Sequence, residues 1–295
     1  MRDSPLRDRT VVVTGAARGL GAALARELAR RHARIALLGH ERAALRQVAA
    51  TLPAPALALE VDITDPAALH RAADTVRARL GRPSAVIANA GLALAGPVET
   101  ADPPAWRRVI DVNLTGSAFT AQAFLPDLLH TRGYYLQIAS TAALGAVPLM
   151  SAYCASKAGA EAFTHALRAE TAHRGMAVGI AYLNWTDTGM IRDIHTHPAL
   201  QAPRRLLPPP ARRILPTDQA AARLARAVEQ RSTALYLPAW TRLAQVGRAG
   251  LPPLITRLAR ARFQHRQSGL PRTQTGLLGP GGLADQAARR DTPRP

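Results

Sequence analysis

Lysine is almost missing from this 295-residue chain: of its 38 basic side chains, only Lys157 is not an arginine. An Arg-, Ala- and Pro-rich sequence is what GC-rich coding produces, so the scarcity by itself implies no function. The one retained lysine marks a place where a compact ammonium is needed and a guanidinium will not serve. Cysteine is as scarce: the single thiol, Cys154, excludes an internal disulfide and a cysteine-based metal cluster and fits a reducing compartment. No apolar run reaches the ~18 residues of a spanning helix, and the charged start Met1–Arg9 lacks the core of a signal peptide. The expected location is the cytoplasm, at most peripheral at a membrane.

Acidic residues run short in one region only. Residues 1–200 carry 21 basic and 16 acidic side chains, for +5, whereas residues 201–295 carry 17 and 4, for +13. The net charge of +18 therefore belongs to the C-terminal third, and does not mark the whole chain as a nucleic-acid binder.

Short apolar runs alternate with amphipathic stretches from Thr10 to about Tyr236. Strands are predicted over Thr10–Thr14, Arg34–Leu38, Ala56–Val61, Ala85–Asn89, Tyr134–Ala139, Met176–Leu183 and Ala234–Leu237, and helices over Leu20–Arg31, Glu41–Thr51, Pro66–Leu80, Pro104–Leu129, Ser151–His173 and Thr217–Gln230. Such alternation predicts an α/β fold, a doubly wound parallel sheet forming one domain over residues 1–238. Residues 188–216, with His195, His197 and Pro208-Pro209-Pro210, interrupt the rhythm and are expected to form a substrate lid. Residues 239–267 predict a basic amphipathic helical extension broken at Pro252-Pro253, and residues 268–295 are expected to be disordered.

The first strand runs into Thr14-Gly15-Ala16-Ala17-Arg18-Gly19-Leu20-Gly21 and then a helix. Glycines there let the backbone approach a pyrophosphate, whose charge a helix N-terminus favours. Tyr153 and Lys157 are one helical turn apart on one face. An ammonium so placed favours the ionised phenol, which makes Tyr153 a candidate proton donor and acceptor.

Further elements accompany these: Asn89-Ala90-Gly91 after the fourth strand, Asp62-Ile63 after the third, Asn113 in Asp111-Val112-Asn113, and Ser140 thirteen residues before Tyr153. On these motifs the chain resembles the short-chain dehydrogenase/reductase family from Thr10 to about Leu237. The resemblance implies a Rossmann-type fold and hydride transfer between a nicotinamide dinucleotide and a carbonyl or secondary alcohol. It gives catalytic roles to Asn113, Ser140, Tyr153 and Lys157. Tyr153 would exchange a proton with the substrate oxygen and Ser140 would hydrogen-bond that oxygen. Lys157 would lower the Tyr153 pKa and grip the nicotinamide ribose, and Asn113 would hold a water linking Lys157 to solvent. Cofactor contacts are expected from Thr14, Gly15, Arg18, Gly19, Leu20, Gly21, Gly39, His40, Asp62, Ile63, Asn89, Ala90, Gly91, Tyr153, Lys157 and Thr188. Two departures stand out: Asn184-Trp185 replaces the family's Pro-Gly after the sixth strand, and Ala88 replaces the first Asn before Ala90-Gly91.

An NAD-selective fold places an acid at the end of the second strand, where this chain has Gly39. Arg18 and His40 suit a 2′-phosphate and Glu41 opposes it, so NADP(H) is expected, with NAD(H) the alternative. Apolar stretches at Leu92–Pro97, Leu144–Leu149 and Met190–Ile194 predict a hydrophobic small-molecule substrate. Trp185 is a candidate for lining its pocket, while Trp106 and Cys154 read as packing residues. His195 and His197 have no ligand array around them, and no metal is expected.

From Ala239 to about His265, Trp240, Leu243, Val246, Leu251, Leu254, Ile255, Leu258 and Phe263 are interleaved with Arg242, Arg248, Arg257, Arg260, Arg262 and Arg266. Such a stripe packs on its own domain or a second subunit, or lies on anionic lipid. Nucleic acid is not expected, because no reading motif is present. The resemblance also implies a homo-oligomer. The rival function is a catalytically silent dinucleotide-fold protein recruited to a membrane or partner by its tail, against which the full set of four catalytic residues argues. Epimerase or dehydratase chemistry on nucleotide sugars would call for a longer C-terminal substrate domain.

Overall fold

Polar and apolar residues do not alternate in β1 (Thr10–Thr14), and all five of its residues are buried. A strand closed off on both faces belongs inside a parallel sheet. The computed structural model, which describes residues 4–145, 147–196, 212–264 and 274–290, places β1 near the middle of seven parallel strands. The others are β2 (Arg34–Gly39), β3 (Ala56–Glu60), β4 (Pro83–Ala88), β5 (Tyr134–Ser140), β6 (Ala177–Leu183) and β7 (Ala234–Leu237), in spatial order β3-β2-β1-β4-β5-β6-β7. The order reverses between β1 and β4, and a ligand crevice opens at such a point beyond the strand carboxyl ends.

One face of the sheet is covered by α1 (Gly19–Ala29), α2 (Arg42–Ala50) and a helix over Thr217–Glu229. Leu24, Leu28, Leu45, Leu224 and Val228 pack there with Val11 and Val13. The opposite face takes α3 (Pro66–Leu80), α4 (Pro103–Ile110), α5 (Gly116–His130) and α6 (Ser151–Thr171), with Leu69, Val76, Val109, Phe124 and Leu167 around Val12 and Tyr135. The starts of α3 and α4 follow from sequence: Asp65 and Asp102 accept the Ala68 and Ala105 amides, each followed by a first-turn proline.

The single helix expected over 104–129 is interrupted. Between α4 and α5, residues Asp111–Thr115 form a π-turn, which widens the helix by one residue. Hydrophobic periodicity does not reveal it, since α4 is short and α5 is apolar around most of its surface and has no stripe whose phase could be followed.

Of the expected lid, Gly189–Thr196 forms α7, and the helix over Thr217–Glu229 is α8. His195 lies in α7, while His197 and the proline run fall outside the described residues. The extension forms α9 (Thr241–Val246) and α10 (Leu251–Gln264). The break falls at Gly247–Gly250, not at the prolines; Pro252 and Pro253 sit in the first turn of α10, where the missing N–H groups cost nothing. A larger difference is α11 (Gly279–Arg290), a helix within residues expected to be disordered. Its Gly-Pro-rich start suggested disorder because the buried positions that hold it are few. No helix among the described residues is long and apolar enough to cross a membrane.

Candidate active site

The turn after β1 has to be made of glycine. Gly15 and Gly19 adopt φ of +63° and +53°, and a Cβ on Gly21 would lie 2.2 Å from the Gly15 carbonyl oxygen. Thr14 and Asn89 fix this turn to the end of β4. Thr14 Oγ1 accepts the Asn89 and Ala90 amides at 3.0 and 3.1 Å, and Asn89 Nδ2 donates to the Thr14 and Gly15 carbonyls at 2.9 and 3.2 Å. Arg18 precedes α1 without a side-chain cap, so the first-turn amides of α1 face the crevice. The crevice has a volume of about 540 Å³ and is bordered by Gly15, Gly19, Gly39, His40, Asn89 and Thr188.

A smaller cavity of about 180 Å³ adjoins it, sharing Leu20, Asn89, Gly91, Thr188 and Met190. Ser140, Tyr153 and Lys157 meet there, with Val147, Met150, Trp185, Ile191 and Ile194 as its apolar walls. Ser140 comes from the end of β5 and hydrogen-bonds the Tyr153 side chain. Tyr153 and Lys157 come from the first two turns of α6, with Lys157 Nζ 5.8 Å from the centre of the Tyr153 ring. Lys157 is 4% exposed and donates to the Ile138 carbonyl at 3.0 Å. A Cβ on Gly91 would lie 3.2 Å from Asn113 Oδ1, a tight approach, and 3.5 Å from Nζ, so the glycine leaves space beside the ammonium.

Burial raises the Tyr153 pKa, with the Ser140 hydrogen bond opposing it, and burial brings Lys157 down to about 8. Removal from water disfavours phenolate and ammonium alike. Asn113 is fully buried in the π-turn. Its Oδ1 accepts the Leu92 amide at 2.7 Å, and its Nδ2 donates to the Leu92 carbonyl and to Ser156 Oγ, both at 2.9 Å. Asn113 therefore ties the segment after Gly91 to α6.

At the end of the crevice beside β3, Asp62 and Ile63 follow the strand, but they share that end with residues the sequence did not single out. Arg108 of α4, 6% exposed, donates to Asp62 at 3.0 Å, to Thr64 Oγ1 at 2.8 Å, and to Asp285 of α11 at 2.6 to 3.1 Å. His40 Nε2 lies 3.7 Å from Asp62 and 3.4 Å from Asp285. Arg18 does not stand free, since its Nε donates to Glu41 at 2.9 Å. One sequence signal was available for Asp285: it is the only acid between Glu229 and Asp291.

A family profile described as short chain dehydrogenase matches residues 9–199. The chain belongs to that family. The dehydrogenase is 32% identical over 184 residues to meso-2,3-butanediol dehydrogenase of Serratia marcescens, covering 62% of this chain and 73% of that protein. It is 31% identical over 225 residues to 2-(S)-hydroxypropyl-CoM dehydrogenase 3 of Xanthobacter autotrophicus, covering 74% and 88%. In fold it is similar to a short-chain type dehydrogenase/reductase from Mycobacterium marinum, with a TM-score of 0.71 at 23% identity, covering 78% of this chain and 94% of that one.

Proposed function

We propose that this dehydrogenase moves a hydride between NADP(H) and the carbonyl or secondary alcohol carbon of a hydrophobic small molecule. The observation that carries the reading is the convergence of Ser140, Tyr153 and Lys157 in an apolar cavity that opens onto the glycine-lined crevice. The glycine cradle and the uncapped start of α1 fit a dinucleotide, with Gly91 leaving room for a ribose beside Lys157. The nicotinamide supplies the hydride when bound. Tyr153, held protonated by burial, donates its proton to the carbonyl oxygen during reduction. Ser140 hydrogen-bonds the same oxygen and stabilises the charge that develops on it. Lys157 directs its remaining N–H groups toward ribose hydroxyls and stabilises the phenolate left on Tyr153. Asn113 positions Gly91 and α6 relative to each other.

The preference for NADP(H) rests on the absence of an acid at Gly39 and on Arg18 at the crevice rim, where a 2′-phosphate would compete with Glu41 for the guanidinium. Tighter binding of NADPH than NADH in a fluorescence titration is expected; the opposite order would assign the pocket to Glu41. The names of the two curated relatives describe dehydrogenases of a butanediol and of a 2-hydroxypropyl conjugate, in keeping with alcohol chemistry. A hydrophobic substrate is supported by the apolar walls, and peripheral contact with anionic lipid by the exposed Leu243, Val246, Leu254 and Leu258 beside arginines. Tyr153→Phe decides the chemistry. It should lower turnover ~10²–10⁴-fold with cofactor affinity retained. Turnover of a confirmed substrate at the wild-type rate would overturn the mechanism.

A further inference from the structure

We propose that residues 274–290 form the outer wall of the cofactor's adenosine site, and that Asp285 is a positioning residue that holds this wall closed through Arg108 and His40. The inference rests on the dinucleotide reading of the crevice.

The segment first runs beside the chain that follows β4. The Thr275 and Leu278 amides donate to the Ala95 and Ala93 carbonyls at 2.7 and 2.8 Å, and Thr275 Oγ1 accepts the Ala95 amide at 3.1 Å. Leu277 and Leu278 are 5% and 6% exposed. The segment next meets α7. The Gly279 amide donates to Asp193 at 2.8 Å, a Cβ on Gly189 would lie 2.5 Å from Pro280, and Gly279, at φ +80°, approaches the Met190 backbone. Backbones this close, with glycine on each side, fix the segment to α7. Its helix α11 then reaches the adenosine end, where Asp285, 2% exposed, takes three contacts from Arg108.

A lone acid in a basic tail, buried against a buried arginine, carries a desolvation cost that its partner must offset. Gly281, Gly282 and Asp285 border the same crevice as Gly15, Gly19 and His40. The wall and the glycine turn therefore face each other across the space that the dinucleotide would fill. A cofactor seated between them leaves only when the wall moves, so the Asp285–Arg108 contact sets its dissociation rate. Asp285 acts through other residues; no contact of its own with the reacting atoms is implied.

Two measurements on the full-length protein test this. Hydrogen exchange of the wild type is followed with and without whichever of NADPH and NADH binds tighter. Slowed exchange in both the glycine turn and residues 274–290 is expected. If the glycine turn slows and 274–290 does not, the wall is wrong; if neither cofactor slows the glycine turn, the dinucleotide reading itself fails. In stopped-flow displacement, Asp285→Asn should release cofactor about tenfold faster or more, since a hydrogen-bonded charge pair is lost. Asp285→Glu should recover most of the loss. A folded Asp285→Asn that releases cofactor at the wild-type rate overturns the latch. If that variant does not fold, the exchange experiment on the wild type decides alone.

Discussion

Two C-terminal attachments hold to this α/β domain by the same device with its charges reversed. At α9, the acid belongs to the domain: Glu161 of α6, 3% exposed, accepts from Arg248 at 3.0 and 3.1 Å, from Tyr182 at 2.6 Å and from Gln245 at 3.2 Å. At α11, the base belongs to the domain, as Arg108, and the tail supplies Asp285. The difference is in how much water reaches each pair. The Arg248 side chain is 45% exposed, whereas those of Arg108 and Asp285 are 7% and 2%. A half-wet pair anchors a surface element at modest cost, and a dry pair serves where geometry must be held. The helices they anchor divide accordingly: α9 and α10 leave Leu243, Val246, Leu254 and Leu258 facing out, while α11 turns Asp285 toward the crevice.

The sharpest way to break this contrast is Arg108→Met. It leaves Asp285 buried without its main partner and should lower unfolding stability by about 3–5 kcal/mol in urea titration. A loss below ~1 kcal/mol would mean that the dry pair holds nothing. Arg248→Met should cost less, about 1–3 kcal/mol by the same assay, because Tyr182 and Gln245 still bond Glu161. Equal costs for the two variants would remove exposure as the distinguishing factor. The smallest effect on stability, within about 0.5 kcal/mol, is expected for Leu243→Ser combined with Val246→Ser, since both side chains already face solvent. The same pair should weaken cosedimentation with phosphatidylserine-containing vesicles about tenfold or more, as the buried apolar area on lipid is lost. Unchanged cosedimentation would assign this face to something other than a membrane.

The parallel sheet was legible because buried strands and amphipathic helices have different periods, and β1, α3 and β7 occupy the residues that the pattern predicts. The glycine turn and the approach of Ser140, Tyr153 and Lys157 were legible because those residues are tied by spacing along strand ends and one helix. What stayed hidden depends on contacts between segments far apart in sequence. Arg108 meets Asp285 across 177 positions, and neither belongs to a local pattern. The π-turn was hidden for a different reason: α5 is apolar on most sides, so one inserted residue leaves no visible break in a stripe. The charge states of Tyr153 and Lys157 are set by burial, which spacing alone does not report.

The single lysine gives the molecule one ε-amine, and the fold has put that amine in the wall of the cavity that Ser140 and Tyr153 line. With its pKa brought down to about 8, a useful fraction is the free nucleophilic base under mildly alkaline conditions, where ordinary surface lysines remain protonated. Among side chains, a small amine-directed reagent finds only Lys157 to modify, and peptide mapping separates that adduct from one on an α-amine. The mass of the peptide that carries Lys157 then counts the open cavities, and anything that covers Lys157 registers as protection of that one adduct.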